Sequence, residues 1–481
     1  AQRTLIKHSD DPRPNHYSWE TLSRGRTDDP LWNACQHSLL RQGELHGDPR
    51  MMWGKAFLAM AGCPQRALQL CIDLNHRYAL DGRDPASYGG ILWCFGLFDR
   101  PSDRSRPIYG TIRTRTAAEQ SRRLDVDQFH RIARRPIADH NPRVAIIGAG
   151  MAGLIAARTM QDHGMSVQLF DKSRGVGGRL ATRRVHEGLT FDHGAQYFTA
   201  KDSGFCKRVQ SWIDDGLVQP WMGRIVQLTG DGKIESDKQG TPRYVGVPSM
   251  NRVASHLASD LQIRRETHVQ SIDKRGDVWS LRGKGERDLG EFEVVVVNCP
   301  PPQAAALLAD HTDLTSQVES VPMQPCWSVM VQAPSLTRQD FDGAFVANHP
   351  LSWICRNSAK PGRNGQGKGN SWVLHASPSW SSRHVDCDAQ QVQSVLTESF
   401  QDLTGQTVQE PGYWKAHRWR YAVPSQTLEE SFLWDPATGL GACGDWCHSG
   451  RVEGAFLSGV AMAGAILRHV TIDRRKADCK A

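Results

Sequence analysis

No stretch of this 481-residue chain approaches the roughly 18 consecutive apolar residues of a membrane span. No basic-then-apolar signal opens it, so an intracellular, cytoplasmic protein without a membrane partner is expected. The first residue is Ala rather than Met, which points to a processed piece or a fragment. The twelve cysteines form no CxxC pair, and no His/Cys group has zinc-finger spacing. Reduced thiols and no metal site are expected. No Ser-His-Asp order or paired-carboxylate spacing supports hydrolysis, and no internal repeat is visible. What remains is ordinary for a globular protein, with 39% hydrophobic and 23% charged residues. The length implies two or three domains.

The segment Arg143 to Arg184 carries the strongest signal. The apolar run Val144–Ile147 meets Gly148-Ala-Gly150-Met-Ala-Gly153, then an Ala- and Leu-rich helical run. A second apolar run, Val167–Phe170, ends at Asp171. That is strand, glycine turn, helix, strand and acid. The glycines permit a tight turn and close approach of a pyrophosphate, the helix N-terminus offers N–H groups, and Asp171 can accept from ribose hydroxyls.

The next residues separate a flavin from a nicotinamide. Lys172-Ser-Arg174-Gly-Val-Gly177-Gly178-Arg179 adds a second glycine pair and a guanidinium, which suits the extended FAD diphosphate. The competing reading is a solvated basic turn. Near the far end, Gly439-Leu-Gly441-Ala-Cys443-Gly444-Asp445 reads as a short strand ending in Gly-Asp. The small-residue helix Gly454 to Gly464 follows, its positive end suited to a reduced, anionic flavin. Cys443 and Cys447 read as small residues beside a cofactor rather than a redox pair.

These words, with Phe191-Asp-His-Gly-Ala-Gln-Tyr-Phe-Thr199, resemble bacterial renalase-like flavoproteins of the flavin amine-oxidase group. The resemblance covers about residues 143–470. It implies noncovalent FAD held by Gly148, Gly150, Ala152, Gly153, Asp171, Lys172, Gly177, Gly178, Arg179, Gly194, Ala195, Gln196, Val269, Gly444, Asp445, Gly454 and Ala455. His193, Gln196 and Tyr197 fall in the segment expected beside the isoalloxazine and are the candidate catalytic residues. His193 is a candidate base, with a hydrogen-bonded structural role as the alternative. Tyr197, Phe198, Trp221, Tyr244, Trp419 and Tyr421 are available for an aromatic cage. The implied reaction is hydride removal from a small reduced substrate, either an NAD(P)H isomer or an amine, with dioxygen as acceptor.

Residues 1–142 are modestly basic, with 21 Lys+Arg against 16 Asp+Glu. Helices are expected from Trp32 to about Glu44, Met51 to Ala61 and Gln65 to Ala79. The words DPLWNACQHSLLRQGELH, Arg50-Met-Met-Trp53-Gly-Lys55, LNHRYALDGRDP and Ile108 to Arg113 resemble the C-terminal half of a class II DNA photolyase FAD domain. The resemblance implies an Arg50–Asp81 ion pair beside a flavin, with Arg83, Asp84, Trp53 and Trp93 as further flavin or DNA contacts. Trp32, Trp53 and Trp93 fit electron relay or base stacking, or alternatively a plain core. Departures are clear: Ala86 stands where the family has Asn, Gly47-Asp48-Pro49 shortens the lesion pocket, and Pro49 falls inside an expected helix start. The antenna domain and the first half of the FAD domain have no counterpart. A photolyase remnant with at most weak DNA binding is expected.

The expected fold is therefore multi-domain. An all-α photolyase-type fragment (1–130) and a linker (131–142) precede an α/β Rossmann-like FAD domain of amine-oxidase type with an inserted α+β substrate domain (143–472). The FAD-binding parts are placed at 143–205, 245–305 and 435–470, the substrate domain at 206–244 and 306–434, and a tail at 473–481. Asn364 to Gly369 reads as a Gly-rich loop.

Overall fold

The computed structural model describes residues 2–136, 141–185, 188–238, 240–363 and 369–478. The Gly-rich segment at 364–368 and part of the expected linker, 137–140, lie outside them. The chain divides into two compact units, one made mainly of residues 1–141, the other of residues 142–159 and 166–476.

The first unit is helical, with no strand among its described residues. Pro30–Gln42 starts where the Asp29 carboxylate accepts the N–H groups of Leu31 and Trp32, and stops at Gly43, whose φ is +72°. Gly47–Met60, Pro64–Tyr78 and Pro85–Cys94 follow. Pro49 does not break its helix: it sits in the first turn, where the missing N–H has no intrahelical partner to lose. The core is built on Trp32 and Trp53, stacked at 6.3 Å, with Phe57 edge-on to both. Each indole N–H is satisfied, Trp32 by the Trp53 carbonyl and Trp53 by Gln36 Oε1, both at 3.0 Å. The expected domain end at 130 is corrected. The helix Val126–Ala133 runs past it because Phe129 and Ala133 are buried in this core.

The second unit holds two main sheets. One is six-stranded, in the order Leu433–Asp435, Leu440–Ala442, Val294–Val297, Arg143–Ile147, Ser166–Phe170, Gln262–Arg264. All pairings are parallel except that of the edge strand Leu433–Asp435. The runs read as almost wholly apolar because such a sheet is covered on both faces. A three-stranded antiparallel sheet, Val269–Arg275, Val278–Gly283 and Arg287–Phe292, begins at the predicted Val269.

The other main sheet has seven strands: Tyr413–Pro424, Met323–Ala333, Asn370–Ala376, Leu351–Arg356, Gly343–Val346, Ile225–Leu228 and Ile234–Asp237. Its alternation divides two faces. Trp327, Val329, Val331, Trp372 and Leu374 pack with Leu396 and Phe400 of the helix Ala389–Thr404. The opposite face carries Ser328, aligned with both His375 and His417, and Trp353, aligned with His375.

Two further boundaries move. Leu307, Leu308, Val318 and Val321 pack with Ala145 and Val295, so residues 306–321 join the FAD-domain core rather than the substrate domain. The carboxy-terminal helix spans Val452–Asp478, through most of the expected tail. Its stretch Val452–Thr471, with a mean hydropathy of 1.2, is long and apolar enough to cross a membrane, contrary to the sequence reading. In this fold that stretch is a packing helix. Phe456, Met462, Ala463 and Ile466 are buried, and a Cβ at Gly459 would strike the Ala152 carbonyl and Ile155.

Candidate functional site

The glycine turn joins Arg143–Ile147 to the helix Met151–Asp162. Gly148 has φ +110°, and a Cβ there would enter the Asn298 carbonyl. A Cβ on Gly153 would strike the Gly148 carbonyl. Both glycines are thus used by the fold itself. Gly150 is different: a Cβ there would meet only Asn298 Nδ2, at 3.3 Å. Its free side borders Gly178, where a Cβ would stand 3.7 Å from the Gly150 Cα. Gly177 and Gly178 have φ of +105° and +53°. Two glycine turns and a helix N-terminus thus leave a cradle that any side chain at Gly150 would begin to fill. Ala152 lies in the first turn of that helix. The arrangement fits a dinucleotide pyrophosphate.

The polar residues predicted around it are present, and several are already engaged. The two Asp171 oxygens accept the N–H groups of Ala149 and Ser173, each at 2.7 Å, so this acid clamps the turn. Remaining lone pairs can still accept from a ribose. Arg179 pairs in bidentate fashion with Asp445, at 2.8 and 2.6 Å, and donates to the Ala422 carbonyl. The expected phosphate contact and the expected ribityl acceptor therefore hold each other. Lys172 reaches outward to Gln303 at 3.2 Å. Gly444 N donates to Ser458, tying the Gly-Asp turn to the helix that contains Gly454 and Ala455. Cys443 and Cys447 are buried; burial pushes the Cys443 thiol up to about 12 and raises that of Cys447, so neither is a reactive thiolate.

The loop after Thr190–Asp192 joins cradle to sheet. Ala195 N donates to the Arg179 carbonyl at 2.8 Å. The His193 carbonyl accepts from Trp419 Nε1 at 3.0 Å and from His375 Nε2 at 3.2 Å. His193 itself is buried, stacked on Trp419 at 5.2 Å and edge-on to His417 at 4.7 Å, with no partner at Nδ1. Burial, then His417 and Arg183, push its imidazole down to about 3. His375 and His417 fall to about 4, chiefly by burial. His193 is thus a neutral wall and a poor base at neutral pH. Tyr197 lies among aromatic rings, 5.6 Å from Trp353 and 6.3 Å from Trp221, with Arg243 over its face at 5.3 Å. Gln196 Oε1 accepts from Lys360 Nζ at 3.0 Å.

Sequence reading missed Lys360, Arg363, Asn357, His375 and His417. Asn357-Ser-Ala-Lys360-Pro-Gly-Arg363 was the available signal for three of them, a polar word directly after the apolar strand Leu351–Arg356. The two histidines are visible only from strand pairing.

The first unit has its own cavity, of about 1000 Å³, lined by Arg50, Trp53, Asp81, Ala86, Trp93 and Arg113 among others. Arg50 and Asp81 form the expected bidentate pair, at 2.7 and 2.8 Å, and Arg50 also donates to Asn75 and Ser87. Trp53 is buried in the core and Trp93 is about half exposed. Arg83 and Asp84 do not line the cavity; Asp84 precedes the helix Pro85–Cys94 as its N-cap.

The second unit is thus a Rossmann-type flavoprotein fold with a sheet domain closing over the cradle. Residues 146–212 match the model of an NAD(P)-binding Rossmann-like domain, and residues 227–467 that of flavin containing amine oxidoreductases. The chain belongs to the flavin containing amine oxidoreductase family, and FAD is its cofactor. A redesigned putrescine oxidase shares the fold with a TM-score of 0.51 at 14% identity, over 68% of this chain and 99% of that one. The first unit is similar to deoxyribodipyrimidine photo-lyases. That of Methanothermobacter thermautotrophicus is 41% identical over 129 residues, 27% of this chain and 29% of the relative. That of Potorous tridactylus is 43% identical over 132 residues, 27% of this chain and 25% of the relative. The chain spans less than a third of the length of these relatives. Within the second unit, the 4,4'-diapolycopene oxygenase of a Methylomonas species is 34% identical over 122 residues, 22% of this chain and 24% of the relative.

Proposed function

We propose that the second unit is a renalase-like oxidoreductase that removes hydride from a small reduced substrate and passes the electrons to dioxygen. FAD, held noncovalently, supplies the two-electron acceptor. The residues proposed to hold it are Gly150, Ala152, Gly178, Gly194, Ala195, Gly444, Asp445, Gly454 and Ala455, with Asp171 toward the ribose and Val269 toward the adenine. The role of the remaining side chains is to position and to exclude water. His193, Trp419 and His417 wall one end of the sheet face; Tyr197, Trp353 and Trp221 wall the other. Arg179 serves to hold Asp445 in place, and Lys172 stays at the outer rim.

One observation carries the choice of substrate. Asp192 is the carboxylate behind this face, and Arg363 and Lys360 already neutralise it. The nearby imidazoles are neutral and Arg183 and Arg243 are cationic, so the face repels an ammonium and suits a planar, electron-rich dihydropyridine. Loss of hydride from such a ring leaves an aromatic pyridinium; dioxygen then takes two electrons and two protons to give hydrogen peroxide. The test is anaerobic bleaching of the flavin by stopped flow. Isomeric reduced nicotinamides should bleach it faster than biogenic amines. Rapid bleaching by a primary amine, and none by any dihydropyridine, would falsify this substrate class.

For the first unit the reading is a photolyase remnant without repair activity in this chain alone. The support is the Arg50–Asp81 pair beside a cavity of the right kind, against the residue departures at Ala86 and at 47–49. Weak, salt-sensitive DNA binding is the expected residual property, and light-dependent loss of pyrimidine dimers would contradict it.

A further inference from the structure

Asp192, Lys360 and Arg363 are buried to 1%, 0% and 0% exposure. Arg363 donates to Asp192 Oδ2 at 2.5 Å and to the carbonyls of Gly246 and Pro361. Lys360 Nζ stands 3.6 Å from the same carboxylate oxygen. Thr182 and the Met250 N–H both donate to the other oxygen, Oδ1. Burial would raise the Asp192 carboxyl, but Arg363 and Lys360 hold it below the usual carboxylate range. The neighbouring Asp342 is committed to Arg356. Among the described residues two cations therefore share this one anion, and the cluster keeps one positive charge out of reach of water. An unbalanced buried charge is costly and persists where another group profits from it.

The path of that charge is short. Lys360 donates to Gln196 Oε1, and the Gln196 amide donates to the carbonyls of Asp192 and Gly194. A Cβ on Gly194 would strike the Arg179 carbonyl, so this loop is the cradle wall itself. We infer that Lys360 is a positioning residue which fixes Gln196 and biases the bound flavin toward its reduced, anionic state. This inference rests on the reading that residues 193–196 flank the flavin ring.

The full chain loaded with FAD tests it, with Lys360→Met, Lys360→Arg and Gln196→Leu as variants. Sulfite affinity, read from bleaching of the visible flavin band, and the midpoint potential report positive charge near the ring. Lys360→Met should keep one FAD per chain, bind sulfite at least tenfold more weakly and lower the potential. A tenfold less favourable two-electron reduction is about 30 mV. Lys360→Arg should recover most of both. Gln196→Leu should weaken sulfite binding by a smaller factor, and it decides the matter if Lys360→Met does not fold. Unchanged sulfite affinity and potential in a yellow Lys360→Met chain, or in Gln196→Leu when the former is lost, overturns the inference alone. Loss of FAD from folded Lys360→Met also overturns it, since Lys360 would then hold the cofactor rather than tune it. A wild-type chain without flavin defeats the underlying cofactor reading instead.

Discussion

Each unit places an arginine–aspartate pair beside its candidate site, and the surroundings make them different devices. In the first unit Arg50 and Asp81 are 22% and 49% exposed, and water shares the work of solvating both. In the second, Arg363 and Asp192 are sealed: the guanidinium donates to Asp192 and to the Gly246 and Pro361 carbonyls, and its Nε is buried without a partner. An exposed pair of this kind contributes little net stability, whereas removing one member of a sealed pair strands a charge. The first pair can persist whether or not the cavity beside it works. The second is a commitment of the whole fold around it.

Four experiments sharpen or break that contrast. The largest effect concerns which unit holds flavin. Gly150→Leu would fill the free side of the cradle, so the purified protein should be colourless. Flavin retained at one per chain would move the cofactor to the first unit's cavity and reverse the assignment. Next, Arg363→Met should destabilise the second unit by about 3–5 kcal/mol, because Lys360 still faces Asp192 but one Asp192 oxygen and the Gly246 and Pro361 carbonyls each lose a donor, at about 1–3 kcal/mol per buried group. Urea denaturation followed by tryptophan fluorescence measures it, and a loss under 1 kcal/mol would show that water reaches Asp192.

Acid comes third. His193, His375 and His417 have folded values near 3, 4 and 4, below their unfolded value. Between about pH 6.5 and 4 the unfolded chain binds more protons, so stability falls as pH is lowered. Among its described residues the first unit holds one such histidine, His37, near 4. Circular dichroism at falling pH should therefore show strand signal melting before helical signal, and the reverse order would refute this. The smallest effect belongs to Arg50→Ala. With its partner half exposed, the change should cost about 1 kcal/mol. A Tm drop matching that of Arg363→Met would erase the distinction between the two pairs.

Local sequence determined a good deal here. The strand–glycine turn–helix–strand unit from Arg143 to Phe170 was readable because each part rests on neighbours in the chain: apolar runs, a φ only glycine tolerates, a helix start. The same holds for the helices between Pro30 and Cys94, set by caps such as Asp29 and Gly43. The Arg50–Asp81 pairing and the Gly-Asp turn at 444–445 were legible through family resemblance. Tertiary structure decided the rest. It turned Arg179 and Asp445 toward each other, gave residues 306–321 to the Rossmann core, and made an apolar carboxy-terminal helix a packing helix through Gly459. It also assembled His193, His375 and His417, separated by up to 224 residues, and buried Lys360 behind Gln196. No local pattern encodes these, because a side chain's surroundings in a sheet depend on which strands become neighbours and in what register. Burial, which holds a lysine against Gln196 behind a cofactor site rather than leaving it a solvated tail, is a property of the finished fold.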